Sequence, residues 1–179
     1  MTASLLGAAA PGFDRPLAVL EACHGRIAKQ CNTLEKLLAH LPAHGADAQA
    51  QQAARAVLAY FDTAAVHHHD DEERNLFPLL ERAGASGACD LVELLTHEHD
   101  ELALLWRRLR VLLQQIETGA AATLDEALAR RFVSVNRSHL EFENTRVLPL
   151  ARQVLGAAEI ERLGRAMAAR RGVPFAGLS

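Results

Sequence analysis

Two segments of the sequence repeat the same arrangement of side chains that can bind metal. His68 and Glu72 are four positions apart, and a shift of 71 residues places them on His139 and Glu143. Because residues four apart lie on one face of an α-helix, each pair can present an imidazole and a carboxylate to the same point. Each segment continues with Pro-Leu six residues after its glutamate. The repeat predicts two helices that supply equivalent donors to one site.

Two more histidines occupy matching positions elsewhere in the chain. A shift of 75 residues places His24 on His99 and also aligns Ala28 with Ala103, one turn later. Apolar residues flank both histidines at helical spacing, so both rings are predicted to face the interior. The small alanine side chains leave space beside each ring.

Four histidines and two glutamates are therefore predicted to face one interior: His24, His68, Glu72, His99, His139 and Glu143. Carboxylates without partners in an apolar core are strongly disfavoured. Two divalent cations would neutralise them, since a carboxylate can span two metals about 3.5–4 Å apart. We predict a dinuclear centre of two Fe ions with an oxo or hydroxo bridge. Zn or Mn are alternative occupants, because ligand type alone does not select iron.

The spacing leaves one alternative open on the second helix. His69 and Glu73 are also four residues apart and could replace His68 and Glu72. The repeat favours the latter pair, because only they stand ten and six residues before Pro78, as their counterparts stand before the second proline.

Other polar residues near the motifs are expected outside the ligand shell. His97 lies about 200° around the helix from His99, so both cannot face one centre. The histidines predicted at the surface or behind the ligands are His40, His44, His67, His69 and His97. The acids expected in solvent are Asp70, Asp71 and Glu73, with orientation of a ligand imidazole as a second role for Asp71.

Apolar residues recur every three or four positions through most of the chain, which predicts helices and no strands. Long helices are expected over 17–41, ended by Pro42, and over about 47–82, 88–117 and 123–155, the last capped by Thr123. A short fifth helix is expected near 157–171. The predicted fold is all-α, an up-down-up-down antiparallel four-helix bundle with a short C-terminal fifth helix. Residues 15–155 would form the bundle and 156–179 the short helix and tail.

Composition narrows the class of protein. A chain of 179 residues favours one core. The net charge of −3 and the dispersed basic clusters argue against a nucleic-acid partner. No apolar run approaches the ~18 residues of a membrane span, and the first residues lack a secretory signal, so a cytoplasmic location is expected. The three cysteines, Cys23, Cys31 and Cys89, are expected to be reduced.

The motifs resemble those of the hemerythrin-like, or HHE cation-binding, family. "HHDDEERNLFP" is similar to the second-helix signature of that family and "HLEFENTRVLP" to the fourth. "THEHDEL" resembles its third-helix segment and "ACHGRI" its first-helix histidine. The resemblance covers roughly residues 15–155 and implies a four-helix bundle around a non-haem di-iron centre. It implies the same six ligands, with both glutamates bridging.

Two departures from the oxygen-carrying members bear on function. Those members have a His-x-x-x-His pair on the third helix, but here Leu95 and Ala103 lie four residues from His99. They also have an Asp five residues after the last histidine, where this chain has Asn144, and Glu143 stands at four. One fewer imidazole implies an additional open coordination position, which favours redox chemistry with a small oxidant over reversible oxygen carriage.

The sequence thus predicts a cytoplasmic di-iron protein that reacts with or senses a small diatomic or peroxide ligand, namely O₂, nitric oxide or peroxide. The electron donor and the oligomeric state are not readable from it. The alternative is a binder of O₂ or nitric oxide without turnover, or an iron reservoir or donor. A ferritin-like oxidase fits less well, because those bundles use Glu on two helices and Glu-x-x-His on the others. No nucleic acid and no membrane are expected as partners.

Overall fold

The chain forms five helices in the residues that the computed structural model describes, 11–175, and no strand occurs in that range. Helix α1 is Pro16–His44, α3 is Ala88–Glu117 and α5 is Ala157–Arg170. Helix α2 covers residues 48–82 in four segments: Ala48–Phe61, Ala64–Asp71, Glu72–Leu76 and Phe77–Arg82. Helix α4 covers 126–154 in three: Glu126–Phe142, Glu143–Val147 and Leu148–Val154. The predicted all-α bundle with a short C-terminal helix is confirmed.

Helices α1 to α4 pack as a closed ring. Helix α1 contacts α2 and α4, and α3 contacts the same two helices. Because the connections between successive helices are short, each helix runs antiparallel to the next. Each helix therefore presents one face to a shared interior. Among the described residues, no helix is both long enough and apolar enough to cross a bilayer.

The interior contains two apolar clusters with a polar layer between them. On α1, Leu20 belongs to one cluster and Ile27 to the other, and His24 stands between them. On α3, Leu95 and Leu102 belong to the two clusters in the same way, and His99 stands between them. Helix α5 extends the first cluster with the buried side chains that it places against α1 and α2. The two apolar clusters thus shield the layer of polar groups from solvent, one on each side of it.

The two segments that begin at Glu72 and Glu143 are single turns of π-helix. In each, the residue after the turn donates its N–H to the carbonyl oxygen of that glutamate, five residues earlier. The next residue is a proline, Pro78 or Pro149, which has no N–H and whose ring collides with the carbonyl four residues earlier in an ordinary α-helix. The wider turn relieves that collision. Single π turns of this kind are frequent at functional sites.

Two predicted helix ends are wrong. Helix α1 continues through Pro42 to His44, because a proline in the last turn removes only one hydrogen bond of the helix. Helix α4 is capped by Asp125, whose side chain accepts a hydrogen bond from the Leu128 N–H at 2.9 Å. Thr123 therefore lies before the helix rather than at its cap.

Replacing Asp125 with alanine is expected to lower the free energy of unfolding by about 1 kcal/mol, because α4 loses its N-cap. The matched control, Thr123→Ala, is expected to change it by less than about 0.5 kcal/mol. Urea denaturation of the metal-free protein measures both. Equal losses in the two variants would show that the helix starts earlier.

Candidate metal centre

The structure brings the six predicted ligands together inside the bundle, each at most 3% exposed. Helices α1 and α3 contribute one histidine each, and α2 and α4 contribute one histidine and one glutamate each. The donor atoms form two overlapping groups, within each of which all lie within 4.8 Å of one another: His24, His68, Glu72 and Glu143, and Glu72, His99, His139 and Glu143. Both glutamates belong to both groups. Two cation positions that share two carboxylates would have this arrangement.

In the first group, two imidazoles converge on the carboxylates. His24 Nε2 lies 3.1 Å from Glu143 Oε2. His68 Nε2 lies 3.6 Å from Glu72 Oε1 and 3.9 Å from Glu143 Oε2. The two rings meet edge to face, with centroids 5.0 Å apart. Neighbouring ligands bound to one cation at about 2.0–2.2 Å lie roughly 3–3.6 Å apart, so the separations of 3.1 and 3.6 Å suit a shared ion and that of 3.9 Å is slightly longer.

The second group has similar distances. His99 Nε2 lies 3.6 Å from Glu72 Oε2, and His139 Nε2 lies 3.3 Å from Glu143 Oε1. The two histidine Nε2 atoms face each other at 3.1 Å. Two unprotonated nitrogens would repel at that distance, so a proton or a cation must lie between them.

Hydrogen bonds from outside fix three of the four imidazoles. In each, Nδ1 donates to a side-chain oxygen at 2.7 Å: His24 to Asn144, His99 to Glu73 and His139 to Glu98. Because an oxygen accepts each bond, Nδ1 carries a proton, and each ring that is neutral has its Nε2 lone pair facing the interior. Such outer hydrogen bonds set the tautomer and orientation of metal-binding histidines.

Several donor atoms in this layer are buried without a hydrogen-bond partner among the described residues. They are Nε2 of His24, both ring nitrogens of His68, Oε2 of Glu72 and both carboxylate oxygens of Glu143. A buried polar atom without a partner costs about 1–3 kcal/mol, and native proteins contain few of them. Their concentration at one point fits a cation, which would accept lone pairs from the carboxylates and from one nitrogen of each imidazole.

The two glutamates differ in charge when no cation is bound. Burial, and then the neighbouring carboxylate of Glu143, raises the pKa of Glu72 well above its usual value. Burial acts in the same direction on Glu143, but the His139 and His24 rings outweigh it and hold the pKa of Glu143 well below its usual value. Without a cation, a proton shared by the pair therefore favours Glu72 over Glu143.

The histidines also differ in protonation. Burial lowers the pKa of His68 to about 3, so this ring is neutral at neutral pH. Burial acts to lower the pKa of His139 too, but Glu143 and Glu98 outweigh it and raise that pKa. The extra proton of His139 can occupy the space between the facing Nε2 atoms. A cation that binds there must displace protons, so metal affinity is expected to rise with pH.

His69 lies at the second group, although it was predicted outside the ligand shell. Its donor atom lies within 4.8 Å of those of His99 and His139. Its ring stacks on His99, with centroids 4.0 Å apart and 14° between the planes, and burial lowers the pKa of His69 well below its usual value. The structure adds His69 as a candidate fifth imidazole. Neighbouring helical residues are about 100° apart, so two consecutive histidines can border one interior. The adjacent histidines at 68 and 69 in the sequence could therefore have indicated this role.

Glu73 does not take the place of Glu72. Its side chain is 43% exposed and accepts the outer hydrogen bond of His99. The pair favoured by the repeat, His68 and Glu72, is the one at the centre. His97 is exposed, as predicted.

Asp71 is buried and holds α5, so the prediction that it lies in solvent or orients an imidazole is wrong. Arg170 donates through Nη1 to Asp71 Oδ1, and Arg171 donates through Nη2 to Oδ2 at 2.7 Å. Arg170 also donates to Asn75 Oδ1 at 2.8 Å, inside the first π turn. Because Asp71 directly precedes Glu72, these contacts tie the backbone at a bridging candidate to the C-terminal helix.

Comparison with known proteins agrees with this site. The family model of the hemerythrin HHE cation binding domain matches residues 15–151, so the chain belongs to that family. An uncharacterized protein of Haemophilus influenzae is 30% identical over 161 residues, which cover 90% of this chain and 92% of that relative. A cation-binding family and buried groups of His and Glu both fit metal binding. Helix α5, including Arg170, and Arg171 directly after it lie beyond the residues matched by the family model.

Replacing Glu72 with glutamine is expected to stabilise the metal-free protein at pH 8 and to prevent its stabilisation by an added divalent cation. A carboxyl whose pKa is raised by folding destabilises the fold above its unfolded pKa of about 4.3, and the penalty grows until the pH reaches the folded pKa. The gain in Glu72→Gln should therefore disappear as the pH falls toward 4.3. Thermal unfolding from pH 4 to 8, with and without chelator, measures it.

The matched control is the next residue. The pKa of Glu73 is lowered by its hydrogen bond from His99, so Glu73→Gln should lose stability at pH 8 rather than gain it. A uniform destabilisation of Glu72→Gln at every pH would contradict the assigned protonation.

Replacing Asp71 with asparagine is expected to lower the free energy of unfolding by about 2 kcal/mol, because the charged hydrogen bonds from Arg170 and Arg171 to a buried acceptor are weakened. The neighbouring Asp70 is partly exposed, pairs with Arg74 at 2.9 Å and lies 3.9 Å from Arg170 Nε, so Asp70→Asn should cost less than about 1 kcal/mol. Urea denaturation compares them. An Asp71 variant as stable as the wild type would show that the buried contacts do not hold α5.

Proposed function

We propose that this protein binds two iron ions in the buried donor cluster and uses them to react with or sense a small oxidant. The supporting observation is the set of unpartnered imidazole and carboxylate atoms that forms two groups with shared glutamates. Imidazole and carboxylate together suit iron. Two carboxylates shared by two positions match the requirement of a metal pair about 3.5–4 Å apart.

The first position would be held by His24 and His68, and the second by His99 and His139, with Glu72 and Glu143 common to both. An iron pair supplies electron transfer and O₂ chemistry when bound. The protein supplies orientation, since Asn144, Glu73 and Glu98 hold three rings with Nε2 facing inward. The apolar clusters on either side exclude water.

An apolar recess beside the second position supports a small, uncharged reactant. The recess has a volume of about 110 Å³, room for only a few diatomic molecules. Its walls include Phe61, Leu102, Trp106 and Phe132, and His69 lies in the lining. Such walls offer few hydrogen bonds, so they favour O₂ or nitric oxide over a strongly hydrated ligand. His69 is the polar group through which the recess borders the donor cluster.

His69 also favours a second candidate, a binder of O₂ or nitric oxide without turnover. The missing histidine of the third helix implied one fewer imidazole than in oxygen carriers. A ring from α2 stacked on His99 would restore that number. Reversible binding is therefore retained beside redox reactivity.

The first experiment is metal analysis of protein purified without oxygen, followed by its visible spectrum as air is admitted. Two irons per chain and a change in absorption are expected, and the change should be absent in Glu72→Ala. His139→Ala should lose most of the iron, whereas His97→Ala, an exposed histidine on α3, should keep it. One zinc per chain with no spectral change would contradict iron-based reactivity.

Repeated additions of nitric oxide or peroxide with a reductant separate the two candidates. Consumption over many cycles, with return of the starting spectrum, supports a reactive centre. A spectral change that stops at one equivalent of nitric oxide per metal centre, and that reverses when the gas is removed, supports reversible binding without turnover. His69→Ala should change the rate or affinity while both irons remain; loss of iron instead would assign His69 as an essential ligand.

A further inference from the structure

A second group of metal-binding side chains lies where α1 turns into α2. His40 and His44 stand on the end of α1, and Asp47 is the N-cap of α2. All three donor atoms lie within 4.8 Å of one another. His24 lies sixteen residues before His40 on the same helix, which is roughly 24 Å at 1.5 Å per residue. This group is therefore separate from the interior centre.

The two histidines already face the same way. They are four residues apart on one helix, and their rings stack with centroids 4.2 Å apart and 20° between the planes. His40 donates through Nε2 to Asp47 Oδ1 at 3.0 Å. The three donors thus meet at one point on the surface, two of them from α1 and one from α2.

The backbone holds the carboxylate in place. Gly45 has φ 62° and ψ −157°, a conformation that is essentially limited to glycine, and it reverses the chain between the two helices. Asp47 Oδ1 also accepts the Ala50 N–H at 2.8 Å, which fixes the side chain at the start of α2. His40 is only 17% exposed. Two of the three donors are therefore restrained before any ion arrives.

We propose that His40, His44 and Asp47 form a mononuclear site for Zn²⁺, independent of the interior centre. Two imidazoles and one carboxylate, with water in the fourth position, are a usual donor set for zinc. Imidazole disfavours Mg²⁺ and Ca²⁺, which prefer oxygen. Rotation of the exposed His44 side chain would bring the third donor toward the restrained His40 and Asp47 without repacking the core. The bound ion would join the end of α1 to the start of α2 and stabilise the folded state by mass action.

The test is calorimetric titration of Zn²⁺ into the full chain with its interior metal already loaded. One additional Zn²⁺ per chain is expected for the wild type. The same result is expected for the control variant His97→Ala, which lacks an exposed histidine of α3. His44→Ala should bind that Zn²⁺ at least tenfold more weakly. Because the comparison is between variants, it holds whichever metal fills the interior, and unchanged interior metal content in all variants separates this site from that one.

Asp47→Asn separates metal binding from helix capping. Asparagine caps helices as well as aspartate does, so the fold should be kept while Zn²⁺ affinity falls. Cu²⁺ provides a spectroscopic probe, since it binds such donors at least as tightly as zinc. Its electron paramagnetic resonance should show two imidazole nitrogens in the wild type and one in His44→Ala. Equal Zn²⁺ affinity in wild type and His44→Ala, or an unchanged nitrogen pattern, would overturn the site.

Discussion

The structure depends on burying two carboxylates and at least four imidazoles in a layer between apolar clusters. Glu72 and Glu143 are each 1% exposed, and several of their oxygens have no hydrogen-bond partner among the described residues. Without a cation, the pKa of Glu72 and the pKa of His139 are both raised, so both groups hold protons more tightly than they do in water. Burying these groups costs free energy, and a cation bound at the centre would reduce that cost. Without a cation, the packing of the two apolar clusters must offset it.

The backbone has the same local geometry at both glutamates. Each bridging candidate opens a π turn, and each turn is followed by a proline that cannot complete an α-helical hydrogen bond. The two halves of the bundle therefore build their His/Glu pairs in the same local geometry. They differ in support: in the described part of the chain, the first turn alone is held by hydrogen bonds from Arg170 of α5 and Arg171 after it to Asp71. That support comes from outside the residues matched by the family.

The helices and the positions of the six inward donors could be predicted because both depend on local periodicity and on the internal repeat. The side chains that accept hydrogen bonds from the outer nitrogens of the histidines could not be predicted. Asn144, Glu98 and Glu73 reach their histidines across helix interfaces, so their roles depend on how each helix is rotated. Asp71 seemed solvated because its arginine partners are about 100 residues away in sequence. His69 was set aside because the register of the internal repeat favoured His68 as the ligand, whereas two adjacent residues can border the same centre.

The central claim is that the buried donors are held in place for two cations. The most direct test is a crystal grown without oxygen in the presence of Fe²⁺, with anomalous diffraction measured at the iron absorption edge. The account predicts two peaks within bonding distance of the six side chains, both touching the two shared carboxylates. An interior without anomalous signal, with its glutamates and histidines bonded only to one another, would contradict it.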